Sequence, residues 1–434
     1  MAIVKPRIQS GFMELNPSDQ IIFNRMLDTI RGVYELFGFT PVETPAIELS
    51  EILFAKGGGE TEQEVYRFER GGRDMALRYD LTVPTARYVA QYEGELSFPF
   101  RRYAIGKVWR AERAQAGRFR EFYQCDIDII GSDCVLYDAE VPSVIYATMR
   151  ALGFTDFTIR VNNRKTLNGL FAELGAGDQS VQVMRVVDKL EKIGSEEVRS
   201  QLATLGMSSG AVERLMTFLA IDGSPDDVIA GLRALDVKND LFQEGVDELT
   251  TILEAMRGFG IPEENFRLDL AIARGLDYYT GTVYETVLND YPGVGSVCSG
   301  GRYDDLASYY TKTRLPGVGI SIGLTRLFYK LREAGVVESG SSTPSRVLLC
   351  PIDETGRSGA IKLASQLREA GISTQIYLEV VKLAKQLRYA DRLGVPCAVI
   401  VGEKEVAEDV YTVKDMVSGE QDLLTIDALI KKLS

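Results

Sequence analysis

Apolar residues near the start of the chain recur at helical spacing. Ile22, Met26, Ile30, Val33 and Phe37 fall on one stripe and predict a helix over residues 18–37, ended by Gly38. Residues 39–45 are strand-like, and Pro41 and Pro45 limit them to an edge strand or one that soon bends. Residues 103–130 read as strand, polar loop over 111–118, and strand. On the second of these strands Gln124, Asp126 and Asp128 fall at period two and share a face, while Tyr123, Cys125, Ile127 and Ile129 share the other. On the first, Ala104, Gly106, Val108 and Arg110 share a face whose small residues are expected to leave room for a flat ligand.

The pattern then changes. Over residues 176–262 the apolar spacing is helical, as in Val198, Leu202, Leu205 and again Val212, Leu215, Leu219. Ser224-Pro-Asp-Asp227 has the form of a capped helix start. A helical module inserted into a mixed region that ends near residue 337 is expected. Strand-like residues lead up to Arg274; a glycine-bounded connection to Gly281 and a β-rich run over Thr282–Leu288 follow. A glycine-punctuated strand from Gly317 to Gly323 then enters a helix whose Leu324, Leu327, Phe328 and Leu331 form a core stripe, with Arg326 off it.

Residues 338–345 have the Ser/Gly/Pro composition of a flexible linker. From residue 346 to 434 strands alternate with helices, which implies a small sheet covered by helices. The expected organisation is therefore α+β, with a large domain over 1–337, the linker, and an α/β domain over 346–434.

Charge and composition narrow the chemistry. The 434 residues carry 62 acidic against 49 basic groups, net −13, which excludes a wholly basic nucleic-acid coat but not a local basic site. The chain contains no histidine, so a Ser-His-Asp triad, a histidine base or a histidine metal ligand is impossible within it. Its five cysteines form no CxxC pair, and no apolar run approaches the length of a membrane span. Reduced thiols in a soluble, cytoplasmic protein are expected.

Against that acidic background, residues 101–120 hold six arginines and one lysine with a single glutamate. Arginines beside a carboxylate-and-amide face suit a substrate with an anionic phosphate and a cationic part, and they equally suit a salt-bridged surface hairpin. Arg326, at a helix start, would favour an anion. GxxxxGK[ST] and GxGxxG are both absent.

Three ordered segments resemble the signature motifs of class II aminoacyl-tRNA synthetases. The helix and strand ending at Pro45 resemble motif 1, Arg110-Ala-Glu112 through Arg118 and Phe122 motif 2, and Gly317 to Phe328 motif 3. Arg274-Gly-Leu-Asp-Tyr-Tyr279 and Ser299-Gly-Gly-Arg-Tyr-Asp304 resemble the histidine-specific signatures of the histidyl-tRNA synthetase family; the second departs from the family's usual opening glycine at Ser299. The resemblance implies a six-stranded antiparallel catalytic sheet with helices, a helical insertion and a C-terminal α/β anticodon-binding domain.

The resemblance also implies roles. Asp80, Thr82 and Gln124 would hold the α-ammonium of histidine, Asp128 and Tyr279 would bracket its imidazole beside Tyr278, and Leu81 joins this histidine-binding set. Arg110 and Arg274 would meet the carboxylate and α-phosphate, which makes them, with Arg326, the catalytic residues. ATP would contact Arg110, Glu112 at the adenine amino group, Phe122 by stacking, and Arg326 at the γ-phosphate. Magnesium and a homodimer are implied; no metal site on the protein itself is. Histidine tRNA would meet Arg113, Arg118 and Arg120 at its acceptor end. Lys382, Lys385, Arg388 and Arg392 suit either the anticodon side or a solvated helix face. A different resemblance within the same lineage is to the histidine-sensing regulatory subunit of ATP phosphoribosyltransferase, a binding protein without tRNA chemistry.

Overall fold

The opening helix forms over Pro17–Leu36, with Asn16 Oδ1 accepting from Asp19 N at 3.0 Å. The computed structural model describes residues 3–55, 64–112, 117–272, 279–337 and 340–433. Two compact units divide it: Met1–Met13 with Met26–Val337, and Glu14–Arg25 with Glu338–Ser434.

In the first unit the strands are, along the chain, β1 (Thr40–Pro41), β2 (Ile47–Leu49), β3 (Arg67–Arg70), β4 (Arg73–Leu77), β5 (Phe100–Trp109), β6 (Glu121–Ile130), β7 (Phe157–Asn163), β8 (Phe266–Leu268), β9 (Thr282–Leu288), β10 (Ser296–Tyr303) and β11 (Gly317–Gly323). β2, β4 and β3 make a small antiparallel sheet; the others form one eight-stranded sheet in the order β1-β5-β6-β11-β10-β9-β7-β8. The six inner strands are antiparallel, as expected. β1 and β8 add a parallel strand at each edge. β1 falls within the strand-like stretch expected over 39–45, and β8 is three residues long and ends at Leu268, short of Arg274.

Register decides what the sheet can hold. Arg102 pairs with Asp128, Asp128 with Gly319, and Gly319 with Gly301, so one row crosses four strands on a single face. The next row on that face is Ala104, Asp126, Ser321 and Ser299. Small residues on β10 and β11 leave a depression beside the acids. The opposite face is apolar, with Ile127, Ile129, Val318, Ile320 and Ile322 all buried. Tyr34 of the opening helix donates to the Cys125 carbonyl on β6 at 2.9 Å.

Between β7 and β8 the chain folds into helices Ser180–Val187, Leu190–Thr204, Ser209–Leu219, Pro225–Ala234 and Asp240–Gly258. Ser224 and Asp227 close a reciprocal capping box, with Asp227 N donating to Ser224 Oγ at 3.2 Å and Ser224 N to Asp227 Oδ2 at 3.1 Å.

In the second unit β12 (Val347–Pro351), β13 (Thr374–Ile376), β14 (Cys397–Val401), β15 (Val410–Asp415) and β16 (Gln421–Thr425) form a sheet ordered β13-β12-β14-β15-β16. The first three neighbours are parallel and β14-β15-β16 antiparallel. Helices Glu354–Glu369 and Ile426–Leu433 contribute Leu363, Leu367 and Leu429 to one core, and Leu383–Leu393 places Ala390 in a second core with Leu348 and Ala398. The expected strand–helix alternation omitted β16 and the short helix Glu403–Glu408, whose apolar positions are few and partly exposed, and also β15, although its Tyr411 and Val413 alternate into the core. Ahead of β12, Ser342 N and Ser341 Oγ donate to the Leu393 carbonyl at 2.8 and 3.0 Å.

Candidate active site

A cavity of about 420 Å³ lies over β6, β11 and β10. Its wall includes Asp80, Thr82, Arg110, Glu112, Phe122, Gln124, Asp128, Tyr279 and Arg326, so the structure brings these expected residues together. Arg274, Tyr278 and Arg113 lie outside the described residues. Leu81 does not line the cavity; it is buried against Ala104 and Val108.

The expected room beside β5 is absent. Leu81 covers Ala104 and Val108, and a Cβ added at Gly106 would come within 2.6 Å of Arg78 Nη2. Arg78 is fixed there by Nη1 donating to the Thr44 carbonyl at 2.5 Å and Nε to the Lys107 carbonyl at 2.9 Å. The small residues that do make space are Gly319 and Gly301. A side chain at Gly319 would run into the Asp128 carboxylate, and one at Gly301 would reach Tyr279 Cδ1 at 2.9 Å.

One end of the cavity is acidic and enclosed. Asp80 accepts from Val83 N at 3.1 Å through Oδ1 and so tethers the start of the Thr82–Gln91 helix. Its buried Oδ2 has no hydrogen-bond partner among the described residues, and neither does Gln124 Oε1. The Gln124 amide nitrogen donates to Ser321 Oγ at 2.8 Å, which turns its carbonyl away from that hydroxyl. Asp128 accepts the Tyr303 hydroxyl at 2.8 Å on Oδ1 and pairs with Arg102 Nη2 through Oδ2. Burial pushes Asp80 and Asp128 up to about 6, against the opposing pull of Arg102 on both. Asp126, behind them on the same face, is raised by burial to about 7, again opposed by Arg102.

The other end is basic and open. Arg110 donates through Nε to the Tyr79 carbonyl at 3.1 Å and lies over the Phe122 ring, 5.3 Å from its centroid. Arg118 meets Glu112 at 3.4 Å, and Arg120 Nε donates to the Glu112 carbonyl at 3.0 Å, so the carboxylate is held at the edge of the basic group. Arg326 is exposed in the first turn of the Leu324–Glu333 helix.

Sequence reasoning missed Arg102 and Tyr303 as parts of the site, although Tyr303 stands within the second signature string. Between Gly301 and Tyr303, Arg302 turns to the opposite face. Its Nε donates to Asp138 Oδ1 and Oδ2 at 3.0 and 2.9 Å, and its Nη1 to the Ser132 carbonyl at 3.1 Å. That arginine is a structural anchor. Thr280 Oγ1 donates to Asp304 at 2.6 Å and holds the approach to Tyr279.

An antiparallel six-stranded core with a cavity acidic at one end and basic at the other is the catalytic fold of class II aminoacyl-tRNA synthetases. Comparisons with known proteins refine that class. The family model described as histidyl-tRNA synthetase matches residues 11–327, and that described as anticodon binding domain matches 346–434. Histidine–tRNA ligase of Clostridium tetani is 55% identical over 432 residues, covering 99% of this chain and 98% of its own length. The crystal structure of histidyl-tRNA synthetase from Nostoc sp. PCC 7120 superposes with a TM-score of 0.93 at 40% identity, covering 99% of both chains. A Bacillus halodurans structure titled an ATP phosphoribosyltransferase regulatory subunit/histidyl-tRNA synthetase reaches a TM-score of 0.76 at 22% identity, covering 92% of this chain and 99% of that one, which shows a shared fold alone. The chain belongs to the histidyl-tRNA synthetase family.

Proposed function

We propose that this chain activates L-histidine with ATP to histidyl-adenylate and then transfers histidine to the 3′ end of histidine tRNA. The observation that carries the reading is the pair of enclosed acceptors, Asp80 Oδ2 and Gln124 Oε1, without hydrogen-bond partners among the described residues, in a cavity that also holds Arg110 and Arg326. Such acceptors suit a primary ammonium, and Asp128 suits a ring N–H.

In the first step the substrate's own carboxylate attacks the α-phosphorus and pyrophosphate leaves. That carboxylate is ionised at neutral pH, so a chain without histidine needs no general base here. The protein's part is positioning and stabilisation of charge that grows on the phosphate. Arg110, stacked on Phe122, faces that charge, with Arg274 assigned beside it and Arg326 at the γ-phosphate end. Phe122 offers adenine a ring to stack on, and Glu112 an acceptor for its amino group. Tyr279 and Tyr278 would close on the imidazole. An analogue without ring nitrogens would leave the remaining acceptor capacity of Asp128 unused in a buried site, which rejects it strongly.

Among the described residues no three carboxylate or thiol groups are placed to hold a metal ion. Glu112 is a lone carboxylate at the basic end. That donor set fits magnesium, which keeps water and binds mainly through substrate phosphates. When bound it would neutralise charge on the departing pyrophosphate.

Transfer to tRNA is assigned to the same cavity, with the unit over 346–434 reading the anticodon. The homodimer is assigned to the segment ending at Pro45, and the cytoplasm to the whole. Five unbonded cysteines fit that compartment, and among the described residues no helix is long and apolar enough to cross a membrane. The histidine-sensing regulatory subunit is the second reading; the anticodon-binding match favours the ligase. Histidine-dependent ATP–pyrophosphate exchange, followed by charging of histidine tRNA, tests both. Exchange and charging are expected. Histidine binding without exchange would replace the ligase by the sensor.

A further inference from the structure

Arg102 is fully enclosed, with 0% of its surface exposed, and lines no part of the cavity. Its Nη2 pairs with Asp128 and reaches the Leu81 carbonyl at 3.5 Å; its Nε and Nη1 have no hydrogen-bond partner among the described residues. One buried cation thus faces three buried carboxylates: Asp126 and Asp128 from β6, and Asp80 from the segment before the Thr82–Gln91 helix. The other titratable groups acting on this cluster are Tyr303 from β10 on Asp128, Tyr34 from the opening helix, Arg78, Cys125 and Cys298 on Asp126, and Arg110, Tyr79 and Tyr310 on Asp80. β11 contributes Gly317, Gly319, Ser321 and Gly323 to this face, none of them titratable.

We propose that Arg102 is a positioning residue that determines histidine specificity: without touching substrate, it holds Asp128 ionised and oriented so that the cavity meets the imidazole with a hydrogen-bond acceptor. The proposal rests on the histidine-activating reading and extends it to a residue behind the cavity wall. Each Asp128 oxygen, already engaged once, keeps a lone pair for the ligand. With the guanidinium removed, Asp128 loses its paired cation, and the Tyr303 hydroxyl alone stays bonded to it against repulsion from Asp126 and Asp80. Asp128 then holds its proton to higher pH and no longer presents only acceptors. Because the chain has no imidazole of its own, these raised acids are the carboxyls of the cavity end that approach neutrality beside the substrate ring.

The test is steady-state exchange, with histidine and ATP varied separately from pH 6 to 8.5, in Arg102→Met, Arg102→Lys and the double variant Arg102→Met/Asp126→Asn. Arg102→Met is expected to raise the histidine KM about 30-fold, as loss of one partner of a buried charge pair does, and to move the ATP KM less than about threefold. Its histidine kcat/KM should climb more steeply with pH than that of the unaltered protein, because a raised acid pKa defers ionisation. The double variant should recover part of both. If Arg102→Met does not fold, the same pH displacement, smaller, is expected in Arg102→Lys. Equal losses for histidine and ATP, or pH profiles parallel to the unaltered protein, would overturn the proposal. An unaltered protein without histidine-dependent exchange would instead remove the functional reading beneath it.

Discussion

At one end of the cavity Asp80 and Asp128 are enclosed, raised in pKa and served by a cation that no solvent reaches; at the other, Arg110 is half-buried and Arg118 and Arg326 stand exposed. On the reading proposed above, the difference follows from what each end would do. A neutral ring and one ammonium are told from competitors only where unmade hydrogen bonds are costly, and that requires burial. A triphosphate brings charge enough to be held in a wetter place, and its product must leave. On that reading the acidic end would store selectivity in desolvation, and the basic end would store rate in orientation.

Four changes would break or sharpen this contrast. The largest effect is expected from Arg110→Ala, which should slow ATP–pyrophosphate exchange by about 10³-fold while circular dichroism stays native, as removal of one preorganised charge donor does. Retained exchange would move the phosphate chemistry elsewhere. Asp128→Ala should raise the histidine KM about 100-fold and the ATP KM little, because the loss falls on a buried hydrogen-bonding partner. Equal losses would mean that the cavity has collapsed.

A pH effect of intermediate size is expected on the unliganded protein. Asp80, Asp126 and Asp128 hold protons in the fold that an unfolded chain releases near pH 4, so the stability they contribute is complete below that value and is lost as pH rises through about 6 and 7. The exposed acids with lowered pKa, such as Asp226 and Asp353, act below this interval. The thermal midpoint should fall from pH 5 to pH 8, and a midpoint that rises would contradict the charge balance described. The smallest effect belongs to Lys385→Ala on the exposed face of the Leu383–Leu393 helix: exchange unchanged, tRNA affinity a few-fold weaker, and the salt dependence of binding reduced by about one phosphate contact. An unchanged salt slope would make that face merely solvated.

Much of the acidic end was legible in the sequence, because Gln124, Asp126 and Asp128 alternate along a strand and alternation fixes a face. Arg102 was not, since its meaning depends on pairing across β5 and β6 in a register that a linear pattern does not state. Gly106 misled for the same reason: its missing side chain admits Arg78 rather than a ligand. In the second unit, Leu383–Leu393, Cys397–Val401 and Ile426–Leu433 follow their apolar periodicity, whereas β16 has mostly exposed residues and offered none to read.

The three consecutive residues Gly301, Arg302 and Tyr303 divide their work as floor, bolt and latch. A change at the bolt would act on the slot only indirectly, because its guanidinium is spent on Asp138 and the Ser132 carbonyl on the opposite face. Redesign of the slot for another amino acid has the latch and its acidic partner to vary, and the bolt to leave in place.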